Sequence, residues 1–211
     1  MSVRMRKKPN LERRTEKCAH LQVTAPQELR GRWLLDFPFE KLHVELGCGK
    51  GRFTIETAQA APQVLIAAFE KSANVIISAI ERADEAQLEN VRFVTAMADN
   101  LTEFFAPGEV SRIYINFCDP WTANSHAKRR LTHSRFLQMY KKVLCESGEV
   151  HFKTDNLPLF EFSLREFSKC GFTQTAVTRD LHENGPVGVM TDYELKFHAQ
   201  GMPIYHAIHR T

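Results

Sequence analysis

The 211-residue chain is long enough for one domain with a core of its own, so neither disulfides nor a structural metal is needed to hold it. Hydrophobic residues make up 43% and charged residues 25%; the longest apolar run, Val64 to Phe69, is too short to cross a bilayer, which excludes a helical membrane protein. The net charge of +3 is uneven, with +5 on residues 1–17 and +6 on residues 120–145, leaving −8 elsewhere, a pattern that suits a polyanionic partner bound at one place.

Residues 1–40 read as a basic arm, with no apolar stretch of the kind a signal peptide needs, and an irregular lead-in containing Pro26 and Pro38. The domain proper is expected over residues 41–211. Leu42–Leu46 is a short apolar strand, Phe53–Ala61 a helix stopped by Pro62, and Val64–Phe69 a strand covered on both faces. Asn74–Leu88 is an amphipathic helix, Val91–Ala96 a third strand, Leu101–Phe105 a short helix or turn, and Ile113–Phe117 a fourth strand. After a polar loop, Cys118–Leu131, the spacing predicts a helix over Ser134–Leu144 and a strand over Glu149–Lys153, entered through a turn at Gly148. A helix over Leu157–Cys170 ends at Gly171, followed by a strand at Phe172–Val177, a Gly/Pro loop over Leu181–Met190, a helix at Thr191–Ala199 and a last strand at Ile204–Ile208. Repeated βα units make this an α/β fold, a doubly wound and mostly parallel seven-stranded sheet. Ligands of such sheets lie beyond the carboxyl ends of the strands.

Chemistry-bearing residues cluster at those ends. The first strand runs into Val44-Glu45-Leu46-Gly47-Cys48-Gly49-Lys50-Gly51, where Gly47, Gly49 and Gly51 allow a tight turn and close approach to a ligand. The spacing is GxGxG, unlike the GxGxxG of dinucleotide enzymes. Glu70 ends the second strand, 25 residues after Glu45, where an acid accepts the ribose hydroxyls of an adenosine cofactor. Met97, Ala98 and Asp99 end the third strand, where an adenine would lie, and Asp119 ends the fourth. Acids at Glu45 and Asp119 repel a pyrophosphate but suit S-adenosylmethionine, which carries a sulfonium and an ammonium and no phosphate. That charge pattern favours a methyltransferase over a dehydrogenase.

Asn116-Phe117-Cys118-Asp119-Pro120-Trp121 places a rigid proline and a stacking face after the fourth strand, and Lys128, Arg129 and Arg130 follow within ten residues, with His126 and His133 nearby. Cations beside an aromatic suit an RNA backbone. These blocks, with His151-Phe152-Lys153-Thr154-Asp155-Asn156 and Thr191-Asp192-Tyr193-Glu194-Leu195-Lys196-Phe197, resemble the bacterial tRNA (guanine-N(7)-)-methyltransferases over roughly residues 3–211. The resemblance implies the Rossmann-like fold of the class I S-adenosylmethionine-dependent methyltransferases. It also implies methyl transfer to N(7) of a guanosine in the tRNA variable loop by a cytoplasmic enzyme, monomer or homodimer, without metal. It implies cofactor contacts from Glu45, Glu70 and Asp119, with Asp119 the catalytic candidate, and a guanosine held by Asp155 and the Thr191–Glu194 segment, Tyr193 included. Lys128, Arg129 and Arg130 are expected at the RNA.

The chain departs from the family at Met97, often an acid or Asn, and at Ala123, often a Lys. These departures motivate a second reading, a non-catalytic RNA-binding relative that keeps the cofactor pocket. A third reading, a small-molecule methyltransferase, is disfavoured by the two basic segments. The five cysteines, Cys18, Cys48, Cys118, Cys145 and Cys170, form no CxxC pair and read as reduced thiols. His206 and His209 read as surface histidines with no third metal ligand at credible spacing.

Overall fold

The computed structural model describes residues 8–211. Seven strands, β1 (Lys41–Leu46), β2 (Val64–Phe69), β3 (Val91–Val94), β4 (Val110–Asn116), β5 (Leu144–Thr154), β6 (Thr173–Thr178) and β7 (Tyr205–Arg210), form one sheet in the order β3-β2-β1-β4-β5-β7-β6. The first five run parallel, while β7 is antiparallel to both β5 and β6. The order reverses between β1 and β4, which opens a crevice beyond their carboxyl ends.

Helices cover both faces. α1 (Leu11–Lys17), α3 (Arg52–Ala60) and α4 (Ala73–Glu85) lie over one face, where Ala58, Ile76, Ala79, Ile80 and Ala83 pack on Ile66, Ala68, Val91 and Phe93. α5 (Leu101–Phe104), α6 (Ser134–Val143) and α7 (Leu157–Lys169) cover the other, with Phe104, Phe136, Tyr140, Phe160 and Phe167 against Val44, Leu46, Phe69, Ile113 and Phe152. β2 is buried at every position, which is why it reads as an unbroken apolar run.

The chain before β1 is more ordered than its composition suggests. Within the basic arm, residues 1–7 lie outside the described residues, but α1 docks on α4 through a two-pronged pair, Arg14 Nε and Nη2 each 2.6 Å from Glu81. Part of the arm's positive charge is therefore matched inside the molecule. α2 (Trp33–Asp36) sinks Trp33 fully into the core, where its indole N–H donates to the Phe104 carbonyl at 2.9 Å.

Two further differences have local causes. The helix over 134–144 stops at Val143, and the next strand starts at Leu144 and runs straight through Gly148. A side chain at Gly148 would lie 2.9 Å from Leu144 Cβ, so the glycine lets the strand bulge rather than begin. His209 is not a surface residue: it is buried and stacked flat on Phe167, centroids 3.9 Å apart. Three residues apart on a strand, His206 and His209 face opposite sides of the sheet. All five cysteines are free thiols.

Candidate active site

The glycine turn after β1 is tied to the neighbouring strand, because the Gly47 and Cys48 N–H groups both donate to the Phe69 carbonyl, at 2.8 and 2.9 Å. Gly47 has φ +85° and Gly49 φ +58°, and a Cβ on either would enter open space, so backbone alone walls the crevice there. Gly51 (φ +84°) does a different job. Its missing Cβ would sit 2.4 Å from Ala79 Cβ, so it lets α3 start against α4.

Glu45 is buried near the end of β1, and its Oε2 accepts from the Thr54 hydroxyl at 2.5 Å. Burial pushes its carboxyl up to about 7, although the Thr54 hydroxyl, the Asn116 amide and the Lys153 ammonium pull the other way. Asn116 ends β4 on the same face of the sheet, and its buried amide is turned toward Glu45. Glu70, at the end of β2, accepts from Ser72 N–H at 2.9 Å through one oxygen only. Beyond β3, Met97 is exposed, Ala98 is half-buried, and Asp99 is ion-paired to Arg135.

Asp119 is exposed after β4 and meets Lys71, from the end of β2, at 3.2 Å. Because β1 lies between β2 and β4, this pair stands over the glycine turn. The chain around Asp119 is contorted: Phe117 (φ 51°) and Trp121 (φ 42°) both adopt the left-handed conformation that non-glycine residues avoid. Such outliers gather at functional sites, where the surroundings hold them. An open pocket of about 350 Å³ is lined by Asp119, Pro120, Trp121, Thr122, Ala123 and His126. Arg129 lies over the Trp121 ring at 4.9 Å, and Lys128 and Arg129 are exposed. Arg130 differs from its two neighbours. It is buried and donates to the Pro120 and Trp121 carbonyls, so it turns into the protein and away from any RNA.

On the far side of the crevice, Asp155 follows β5, half-buried, with no hydrogen-bond or ion-pair partner among the described residues. Thr191 caps α8 (Asp192–Ala199), its hydroxyl accepting from Glu194 N–H at 2.9 Å, and Tyr193 is exposed and stacked on Phe117. Glu194, expected at the guanosine, is instead fully buried. Its carboxylate takes Lys153 Nζ at 2.9 and 3.1 Å, His182 Nε2 at 2.8 Å and the Thr191 N–H at 3.1 Å, which leaves it no group to offer a ligand. His182 Nδ1 accepts from Val187 N–H, so its hydrogen sits on Nε2 and points at Glu194. Sequence reasoning missed Thr54, Lys71, Lys153 and His182. They are scattered over four elements, and no spacing rule joins them.

These residues fit S-adenosylmethionine. A buried acid and an exposed acid suit its cationic groups, and the bare backbone at Gly47 and Gly49 admits close contact. Fold and site together define an S-adenosylmethionine-dependent methyltransferase. A family model described as "Putative methyltransferase" matches residues 40–207. A tRNA (guanine-N(7)-)-methyltransferase of Geobacillus sp. (strain WCH70) is 43% identical, covering 96% of this chain and 93% of its own. The protein of the same name from Bacillus subtilis (strain 168) is 41% identical, covering 97% of each. The chain belongs to the tRNA (guanine-N(7)-)-methyltransferase family. Among solved structures, the 16S rRNA methyltransferase KamB (TM-score 0.64, 15% identity, 87% of this chain and 91% of that one) shares the fold. So does a SAM-dependent methyltransferase from Aquifex aeolicus (TM-score 0.57, 11% identity, 96% of this chain and 99% of that one). No helix among the described residues is long and apolar enough to cross a membrane.

Proposed function

We propose that this chain methylates N(7) of a guanosine in the variable loop of tRNA. The observation that carries the reading is the pocket at the end of β4, with Asp119 on one side and the exposed Lys128 and Arg129 beside a stacking Trp121, in a chain more than two-fifths identical to relatives bearing that name. S-adenosylmethionine, when bound, supplies an electrophilic methyl group. Guanine N(7) attacks with an in-plane lone pair, so no side chain has to remove a proton, and the residues position and stabilise instead.

Glu45 and Asp119 place negative charge beside the cofactor's cations. Glu70, with one oxygen free, receives the ribose hydroxyls. Ala98 and Asp99 border the adenine. The exposed Met97 offers an apolar surface to the ring, so an acid at that position is not required. Asp155, Thr191 and Tyr193 hold the guanosine, Asp155 accepting from N–H groups on its Watson–Crick edge. Asp119 also stabilises the positive charge that develops on the guanine. Lys128 and Arg129 meet the phosphate backbone and supply cations that Ala123 does not.

The deciding experiment is incubation with unmodified tRNA and labelled S-adenosylmethionine, followed by nucleoside analysis. The expected product is 7-methylguanosine; cofactor binding without any methylated nucleoside would overturn the reading.

Glu45 gives the site a measurable pH dependence. A carboxyl raised to about 7 is half-protonated near neutrality, and a cation bound beside it favours the ionised form. Cofactor affinity should therefore rise with pH through about 7, and binding at pH 7 should release about half a proton. Without cofactor the sign is opposite. The native state binds this proton more tightly than the unfolded chain does, so stability falls as pH rises from the ordinary carboxyl range to about 7 and is flat above it. Calorimetry in buffers of different ionisation enthalpy measures the proton, and Glu45→Gln should abolish its release. Unchanged proton release in Glu45→Gln would assign the titration to another group.

A further inference from the structure

We infer that Arg130 is the positioning residue of the catalytic loop, the brace that holds Asp119, Pro120 and Trp121 in their working conformation. The inference rests on the reading of that loop as the reaction platform. Three consecutive cations share the sequence Lys128-Arg129-Arg130, yet only the third is buried. Its Nε donates to the Pro120 carbonyl and its Nη2 to the Trp121 carbonyl, both at 3.0 Å. Its guanidinium lies over Phe162 of α7, 4.4 Å from the ring centroid. The next residue is anchored as well, because the Tyr140 hydroxyl of α6 donates to the Leu131 carbonyl at 3.0 Å. Arg130 thus ties a loop of unfavourable backbone to α7, and Leu131 ties the same loop to α6.

The two accepting carbonyls are successive, and Trp121 between Pro120 and Thr122 has φ 42°. In an extended strand successive carbonyls point to opposite sides. Here both are reached by a single guanidinium. A planar fork with two donors can hold such a pair, whereas an ammonium acts as one point charge. The strain at Trp121 persists because surrounding structure fixes it, and Arg130 is the side chain that grips both carbonyls beside it. Pro120 then transmits the setting to Asp119, since its own φ is fixed by the ring.

Arg130→Gln and Arg129→Gln separate a brace from a phosphate contact. Acrylamide quenching reports on the loop, because Trp33, the other of the 2 tryptophans, is fully buried and out of the quencher's reach. For Arg130→Gln the expected results are a fall in kcat of about 10- to 100-fold, little change in tRNA affinity and its salt slope, and stronger quenching of Trp121. For Arg129→Gln, tRNA affinity should weaken and the salt slope should fall by about one. Arg130→Lys keeps the charge and should still lose kcat, which guards against a glutamine variant that fails to fold. Weakened tRNA binding with a reduced salt slope in Arg130→Gln, with kcat and quenching as in the parent, would overturn the proposal. Quenching and tRNA binding need no turnover. They judge Arg130 even if the chain methylates nothing, an outcome that would count against the functional reading alone.

Discussion

Asp155→Ala is expected to lower kcat for tRNA methylation by about 10- to 100-fold, the worth of one hydrogen bond to a charged acceptor. S-adenosylmethionine affinity should be close to that of the parent. Asp155 follows β5 directly, beside the strand whose end carries Asp119, and its carboxylate has no partner among the described residues. An unpartnered, half-buried acid at the mouth of the crevice is available to a ligand. Single-turnover kinetics with saturating cofactor, alongside a cofactor titration, separates the two effects. If the variant loses cofactor binding, Asp155 belongs to the cofactor pocket, and if kcat is unchanged it has no role in holding guanosine.

Glu194→Ala should act on the fold more than on the chemistry. The substitution strands the Lys153 ammonium, buried at the end of β5, and leaves His182 without an acceptor. Removing one partner of a buried ion pair costs about 3–5 kcal/mol, which in a domain of this size lowers Tm by about 10 °C. Glu194→Gln keeps the shape and an acceptor oxygen and should cost less. Lys153→Met, by contrast, removes the stranded charge and should recover part of the loss when combined with Glu194→Ala. Thermal unfolding of the single and double variants forms a cycle. Additive losses would mean that the two residues do not act as a pair.

The sheet and its crevice were legible because their signals are local. Val64–Phe69 reads as a doubly covered strand, and three glycines between the first strand and the next helix announce a tight turn there. Glu70 and Asp119 were expected just beyond strand ends, where ligands bind in this architecture, and they lie beyond the ends of β2 and β4. The buried network was not legible. Lys153, His182 and Glu194 come from a strand, a loop and a helix, no spacing joins them, and Glu194 reads as a guanosine ligand. Their burial is decided by how the 181–190 loop folds back, which no periodicity encodes. The same limit separates Arg129 from Arg130. In a polar loop adjacent side chains have no fixed alternation, so composition groups them and only the fold sends one out and the other in. The lead-in before β1 was read as irregular since prolines and charges dominate it, yet Trp33, Cys18 and Leu21 are buried in the core and Arg14 pairs with Glu81.

The placement of β7 bears on how the protein reaches this state. β7 lies between β5 and β6 and is antiparallel to both, and β6 has no other strand beside it in the sheet. While the chain is emerging from the ribosome, β1 to β5 can assemble with their crossover helices. β6 has nothing to pair with until the segment around Tyr205–Arg210 has been made. During that interval β5 presents an open edge of unpaired backbone groups, the kind of surface that invites pairing with another chain. Within the sheet β6 is made before its one strand neighbour, so the interval before β7 docks is when the nascent protein is most exposed to aggregation.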